Sequence, residues 1–160
     1  MIFATKRQVL LGALSGLTYS FFGTSAWSQG KTHTVEMLNK APDSGERQVF
    51  DPPVLRVEVG DTVSFVSTDR GHNSESNSDM MPAGAESWKS PIGKDIDVTF
   101  SVEGLYGYHC TPHRSAGMVG LVLVGSVSEA QIEAAKGVRQ RGRAKTRYSE
   151  YFDQALAMLK

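Results

Sequence analysis

Residues 105–125 read LYGYHCTPHRSAGMVGLVLVG, and the way apolar runs and breaks alternate there decides the fold. The runs at 105–109 and 119–124 are short and rich in aromatic and branched residues. Runs that brief and that branched are read as strands, not core helices. Between them lies a loop holding the one cysteine of the chain, Cys110, with His113 and Met118 close behind it. Working outward, THTVEMLN (32–39) alternates Val35 and Met37 with polar neighbours before the turn-prone KAPDSGE. PVLRVEVGDTVSFVS (53–67) alternates Leu55, Val57 and Val59, turns at Gly60-Asp61, and resumes with Val63 and Phe65. DIDVTFSV (95–102) places Ile96, Val98, Phe100 and Val102 on one face. The segment 68–94 is rich in Ser, Asp, Asn, Gly and Pro and is read as loop with at most short structure. Several short strands with turn chemistry at their ends predict an all-β sandwich of two mostly antiparallel sheets.

The tail changes character. SVSEAQIEAAKG offers Ser126 or Ser128 as the cap of a helix that Gly137 stops. RGRAKTRYSEYFDQALAMLK (141–160) sets Tyr148, Tyr151, Phe152, Ala155, Leu156 and Leu159 on one helical face, predicting a second helix that packs on a sheet. The basic run Arg139, Arg141, Arg143, Lys145 and Arg147 is read as a solvated linker and helix face. At the other end, Lys6-Arg7 precedes an apolar run closing on small residues near Ala26 and Ser28, the layout of an export signal cleaved after one or the other. The expected organisation is therefore a signal peptide at 1–28, a β-sandwich at 29–127 and a two-helix extension packed on it at 128–160. The chain has 17 Lys+Arg and 17 Asp+Glu, and loss of the signal leaves 15 against 17. No overall basic field exists to draw a nucleic acid. A lone thiol in an exported protein has no internal partner and calls for burial or a bond to something else.

Cys110, His113 and Met118 are spaced Cys-x2-His-x4-Met, so one loop can turn a thiolate, an imidazole and a thioether toward a point. Hard cations favour oxygen, and zinc has little use for a thioether. Two His and a Cys in a plane with a distant Met is the ligand set of a blue-copper centre. Three other histidines could complete it. His33 opens the first strand and is read as an exposed terminal residue. His109 is next to Cys110 in a strand, so their side chains take opposite faces. His72, in TDRGHNS at the end of a strand, is left as the expected ligand. Met80 and Met81 compete with Met118 for the axial position. Cys110 as a nucleophile with His113 or His109 as base is a poor dyad, since nothing supplies a third orienting group.

With these residues in place, VEMLNK, VEVGDTVSFV, GHNSES, MMPAGAESWKS and CTPHRSAGMVGLVLVG together resemble the cupredoxins, in particular members whose last strand is followed by two helices. The resemblance implies a Greek-key sandwich and one copper ion on His72, Cys110, His113 and Met118. It implies that Asn73 and Thr111 tie the ligand loops together and that Pro112 stiffens the second. It further implies a periplasmic, monomeric, non-enzymatic electron carrier, without a membrane segment once the signal is removed. Its partners would be a c-type cytochrome as donor and a denitrification enzyme such as copper nitrite reductase as acceptor. A copper chaperone or storage role is the alternative. Docking would centre on His113 in an apolar patch with Met81, Pro82, Pro112 and Ala116, ringed by Lys40, Arg70 and Lys89. Ser87 and His109 stand where relatives often carry lysine, and Arg114 where an aromatic residue is common. His109 is expected to restore positive charge to the docking face on acidification.

Overall fold

A computed structural model describes residues 30–160, so the expected signal peptide lies outside the described residues. Eight strands run in chain order: β1 (Thr32–Lys40), β2 (Arg47–Asp51), β3 (Val54–Val57), β4 (Thr62–Val66), β5 (Glu75–Ser76), β6 (Ile96–Thr99), β7 (Gly104–His109) and β8 (Val119–Val124). Two helices follow, α1 (Glu129–Lys136) and α2 (Arg143–Ala157). One sheet has the order β2-β1-β4-β6 and the other β3-β8-β7-β5. Four of the pairings are antiparallel, but β1 runs parallel to β4 and β3 parallel to β8. Both sheets are therefore mixed. Parallel neighbours arise where the chain crosses from one sheet to the other before returning.

Between the sheets, Val35, Met37, Phe50, Val63, Phe65, Trp88, Phe100, Tyr106 and Tyr108 form a closed core that also takes in Cys110 and Met118. Several of the aromatic rings meet edge to face, as Phe50 and Phe65 do on Tyr108 at 4.7 and 5.0 Å, while Phe65 stacks on Trp88. Every residue of β7 and β8 is buried. Leu105, Val119, Leu121 and Leu123 face the other way, into a second core with Ile132, Ala135, Tyr148, Tyr151, Phe152 and Ala155 of the helices. A sheet covered on both faces needs an unbroken apolar run, which is why 119–124 lacks the alternation of the other strands.

The helices exist because of that cover. Helix α2 has 15 residues, near the length at which an isolated helix is marginal in water, so packing of its Tyr148–Tyr151–Phe152 face holds it. Helix α1 starts on a capping box: Ser128 Oγ accepts from Gln131 N, and the Gln131 side chain accepts from Ser128 N at 2.8 Å. Of the two candidate caps, Ser128 is the one used.

Two elements were not legible in the sequence. Strand β2 is short, follows a turn, and takes its place from tertiary contacts, chiefly pairing with β1. Strand β5 is two residues long, inside the segment read as loop. A correction concerns Arg147, expected on a solvated face. It is 1% exposed, on the face of α2 that is turned toward β2 and the ligand loop.

Candidate metal centre

Cys110 leaves the end of β7, and Met118 stands just before β8. Their backbones close the loop, Cys110 N–H donating to Met118 O at 2.9 Å and Met118 N–H to His113 O at 3.0 Å. His113 N–H donates to Cys110 O at 3.1 Å, completing a turn that aims its ring back at the sulfur. His72 arrives from the other sheet, after β4 ends and Gly71 turns the chain with φ of 90°. The three donor atoms converge. His113 Nδ1 lies 3.5 Å from Cys110 Sγ, His72 Nδ1 lies 3.8 Å from it, and the two Nδ1 atoms are 3.1 Å apart. A metal at ~120° between two nitrogens at about 2.0 Å and a sulfur at about 2.3 Å needs edges of roughly 3.5 and 3.7 Å. The observed triangle fits one such ion.

The hydrogen bonding explains why nitrogen Nδ1 is presented. His72 Nε2 lies 3.1 Å from Asn39 Oδ1, which can only accept, so the ring proton sits on Nε2 and Nδ1 keeps its lone pair. Asn39 is itself held, its N–H donating to Asp69 Oδ2 at 2.6 Å. Burial, with the neighbouring His113 adding to it, lowers the His72 pKa and so favours the neutral ring. Cys110 is fully buried, and burial raises its thiol, against which the N–H groups of Asn73 and His113 pull down. A cation in the triangle would favour the thiolate.

Asn73 and Thr111 join the two ligand segments. Thr111 N–H donates to Asn73 Oδ1 at 2.8 Å, and Asn73 Nδ2 donates to Thr111 Oγ1 at 2.9 Å and to Ser90 O at 3.1 Å. Met118 is wholly buried in the same core as Cys110. Met80 is on the opposite, helix-facing side of the sheet, where its sulfur accepts from the Asn77 and Gln140 amides. That removes it from the axial position.

Pro112 is exposed on the ligand loop, and His113, Arg114 and Ala116 are half-buried. Arg114 is turned toward Gln140, donating at 3.1 Å. Lys40 follows Asn39 at the same end, and Arg70 is exposed two residues before His72. Lys89 is exposed but paired with Glu75 at 3.0 Å, and Glu75 also accepts from the Thr111 hydroxyl.

Three expectations need correction. Met81 and Pro82 do not stand beside His113. Strand β5 pairs antiparallel with β7, Glu75 opposite His109, so each later residue lies farther from Cys110. By Pro82 the chain has reached Gly104, at the remote end of β7, where Met81 and Pro82 line a cavity of about 200 Å³ with Leu105 and Gln131. His109 does point away from the donor triangle, but it is 7% exposed, and burial, with Arg114 adding to it, holds its pKa down to about 4. It supplies no surface charge on mild acidification. His33 is not a free terminal side chain either. It is half-buried and 2.8 Å from Asp61 Oδ2.

Asn39 was missed in the sequence, and nothing local could have found it. Its role depends on β1 lying beside β4, which brings residue 39 to residue 72.

A soft His₂Cys triangle, buried at Cys110 and His72, with a methionine in the same core and held between two sheets of a sandwich, defines a type 1 copper protein. The chain belongs to the plastocyanin/azurin family of copper-binding proteins, whose sequence profile matches residues 31–125. Within that family its place is with the pseudoazurins. It is 46% identical over 116 residues to pseudoazurin of Paracoccus pantotrophus, covering 72% of this chain and 78% of that one. It is 42% identical over 120 residues to pseudoazurin of Methylorubrum extorquens, covering 75% and 79%. The crystal structure of native pseudoazurin from Hyphomicrobium denitrificans superposes with a TM-score of 0.72 at 39% identity, over 77% of this chain and 97% of the other. Proteins of this family are electron carriers, not enzymes, and His72, Cys110, His113 and Met118 form the copper site.

Proposed function

We propose that this blue copper protein works in the periplasm as a one-electron shuttle, taking electrons from a c-type cytochrome and passing them to a denitrification enzyme such as copper nitrite reductase. The observation that carries the reading is the burial of Cys110 and His72 beside a half-buried His113. When bound, copper supplies the Cu(II)/Cu(I) couple. The residues do the rest. Soft and borderline donors suit both oxidation states moderately, and a cage held by Asn39, Asn73 and Thr111 spares the site a rearrangement when charge changes. Burial of the thiol and one imidazole excludes water and counts against open ligand exchange of the kind a chaperone needs. His113 gives a partner its approach, over a surface formed with Pro112 and Ala116.

Lys40, Arg70 and Arg114 surround that approach with positive charge, which supports docking of an acidic partner. Lys89 adds less, because Glu75 offsets it. Charge of this exposed kind acts mainly on encounter rate and is screened by salt, with a Debye length of about 8 Å at physiological ionic strength. Transfer to reduced or oxidised candidate partners is measured by stopped flow over a salt series. A rate that falls with salt, and falls further in Lys40→Gln and Arg70→Gln, supports the reading. A rate indifferent to both removes the docking face. For the site itself, the copper-loaded protein should show intense thiolate-to-copper absorption that Cys110→Ala abolishes. Met118→Leu should keep the colour and move the reduction potential.

A further inference from the structure

We propose that Arg147 is a positioning residue for the copper site, a strut through which α2 holds the backbone on which Met118 stands. This rests on the copper-site assignment and adds to it a residue 29 positions beyond the last ligand. The side chain is 1% exposed and among the largest wholly buried ones in the described residues. Both terminal nitrogens of its guanidinium are spent on main chain, while the buried Nε has no partner among the described residues. One terminal nitrogen donates to Gly117 O at 2.9 Å and to Gln48 O at 2.8 Å, and the other donates to Arg47 O at 3.0 Å. Glu46 lies 3.4 Å away and balances the charge.

Each acceptor matters. Gly117 precedes Met118 directly and has φ of 96°, a left-handed backbone that glycine adopts freely. A Cβ there would meet the stems of both Arg143 and Arg147 at 3.1 Å, so α2 lies flat against this peptide. Gln48, also with positive φ, is in β2, and the same nitrogen holds both it and Gly117. The helix grips the loop again where Arg143 N–H donates to Ser115 O at 2.9 Å, and β7 where the Tyr148 hydroxyl donates to Tyr108 O at 2.8 Å. Strand, helix and ligand loop thus meet on one planar fork. A lysine keeps the charge but has no rigid array of donors for three carbonyls. With the fork gone, the Gly117–Met118 peptide gains freedom to rotate, and the thioether, the weakest donor of the set, shifts first.

The test uses copper-loaded protein with Arg147→Lys and Arg147→Met. Expected are a changed ratio of the two visible thiolate-to-copper bands, altered rhombicity in EPR and a moved reduction potential. Amide exchange at Met118 should quicken at least tenfold, with Val63 in the other sheet unchanged. Folded variants with wild-type spectrum, EPR and potential would overturn the proposal. If neither variant folds, native-state exchange on the reduced wild-type holoprotein decides it. Denaturant should open the Met118 amide together with those of α2, and melting of α2 that leaves Met118 protected rejects the strut. A wild-type protein without the thiolate-to-copper band would instead remove the copper assignment, a result distinct from either.

Discussion

Replacing Asn73 by alanine should weaken the fold and loosen the copper site together, because this one side chain spans both ligand segments. Asn73 is 1% exposed and makes three hydrogen bonds, two to Thr111 and one to Ser90 O. At about 1 kcal/mol net for each, their loss costs roughly 3 kcal/mol. The released groups do not fare alike. Thr111 is exposed, and its hydroxyl retains Glu75, so water can serve its N–H. Ser90 is 2% exposed, and its carbonyl is left bare, which adds about 1 kcal/mol or more. The expected loss for the apo-protein is therefore about 3–4 kcal/mol by urea denaturation, with a fall in Tm on the order of 10–15 °C. Copper should stabilise the variant less than the wild type, because the triangle must be assembled on binding. A double-mutant cycle with Thr111→Val isolates the link, and a coupling of about 1 kcal/mol is expected. A single-variant loss below about 1 kcal/mol, or no coupling in the cycle, would refute the bridge as the source of the site's rigidity.

Asn39→Ala should free His72 to rotate and lower copper affinity by about 10–100-fold, read by competition with a chelator of known affinity, while the fold stays intact. Asp61 is held down to about 2, first by the Glu58 N–H, with His33 and Lys31 N–H also donating to it. Its carboxylate is thus stabilised in the folded state. Its contribution is complete above pH 3.8 and is lost as pH falls toward about 2, and Asp61→Asn should remove that dependence from acid denaturation curves. His109→Ala should leave the pH profile of partner association unchanged between pH 7 and 5, since the buried ring is neutral throughout; a profile flattened by the substitution would contradict its burial.

Much of the site could be read before the fold was seen, because Cys110, His113 and Met118 share a loop, and spacing within a loop limits where side chains can go. His72 followed by elimination among few histidines and from strand alternation at His109. The docking surface was less legible. Met81 and Pro82 are apolar neighbours in sequence of a plausible axial methionine, yet the register of β5 on β7 carries them to the far end of the sandwich. Lys89 reads as a free cation until Glu75 is found across the bridge between them.

By itself the sequence determined what depends on neighbours along the chain. That includes the period-two strands, a helix cap at Ser126 or Ser128, the apolar face of α2 and a donor loop whose sulfur and nitrogen chemistry selects a soft metal. The tertiary structure alone decided which residues hold those donors in place. Asn39 meets His72 because β1 runs parallel to β4, and Arg147, one of five similar basic residues in its stretch, is buried because α2 lies across β2 and Gly117. The physical reason is the same for both. A hydrogen bond is satisfied by whichever group the fold brings within about 3 Å, and no local pattern encodes a partner that arrives from 33 or 30 residues away.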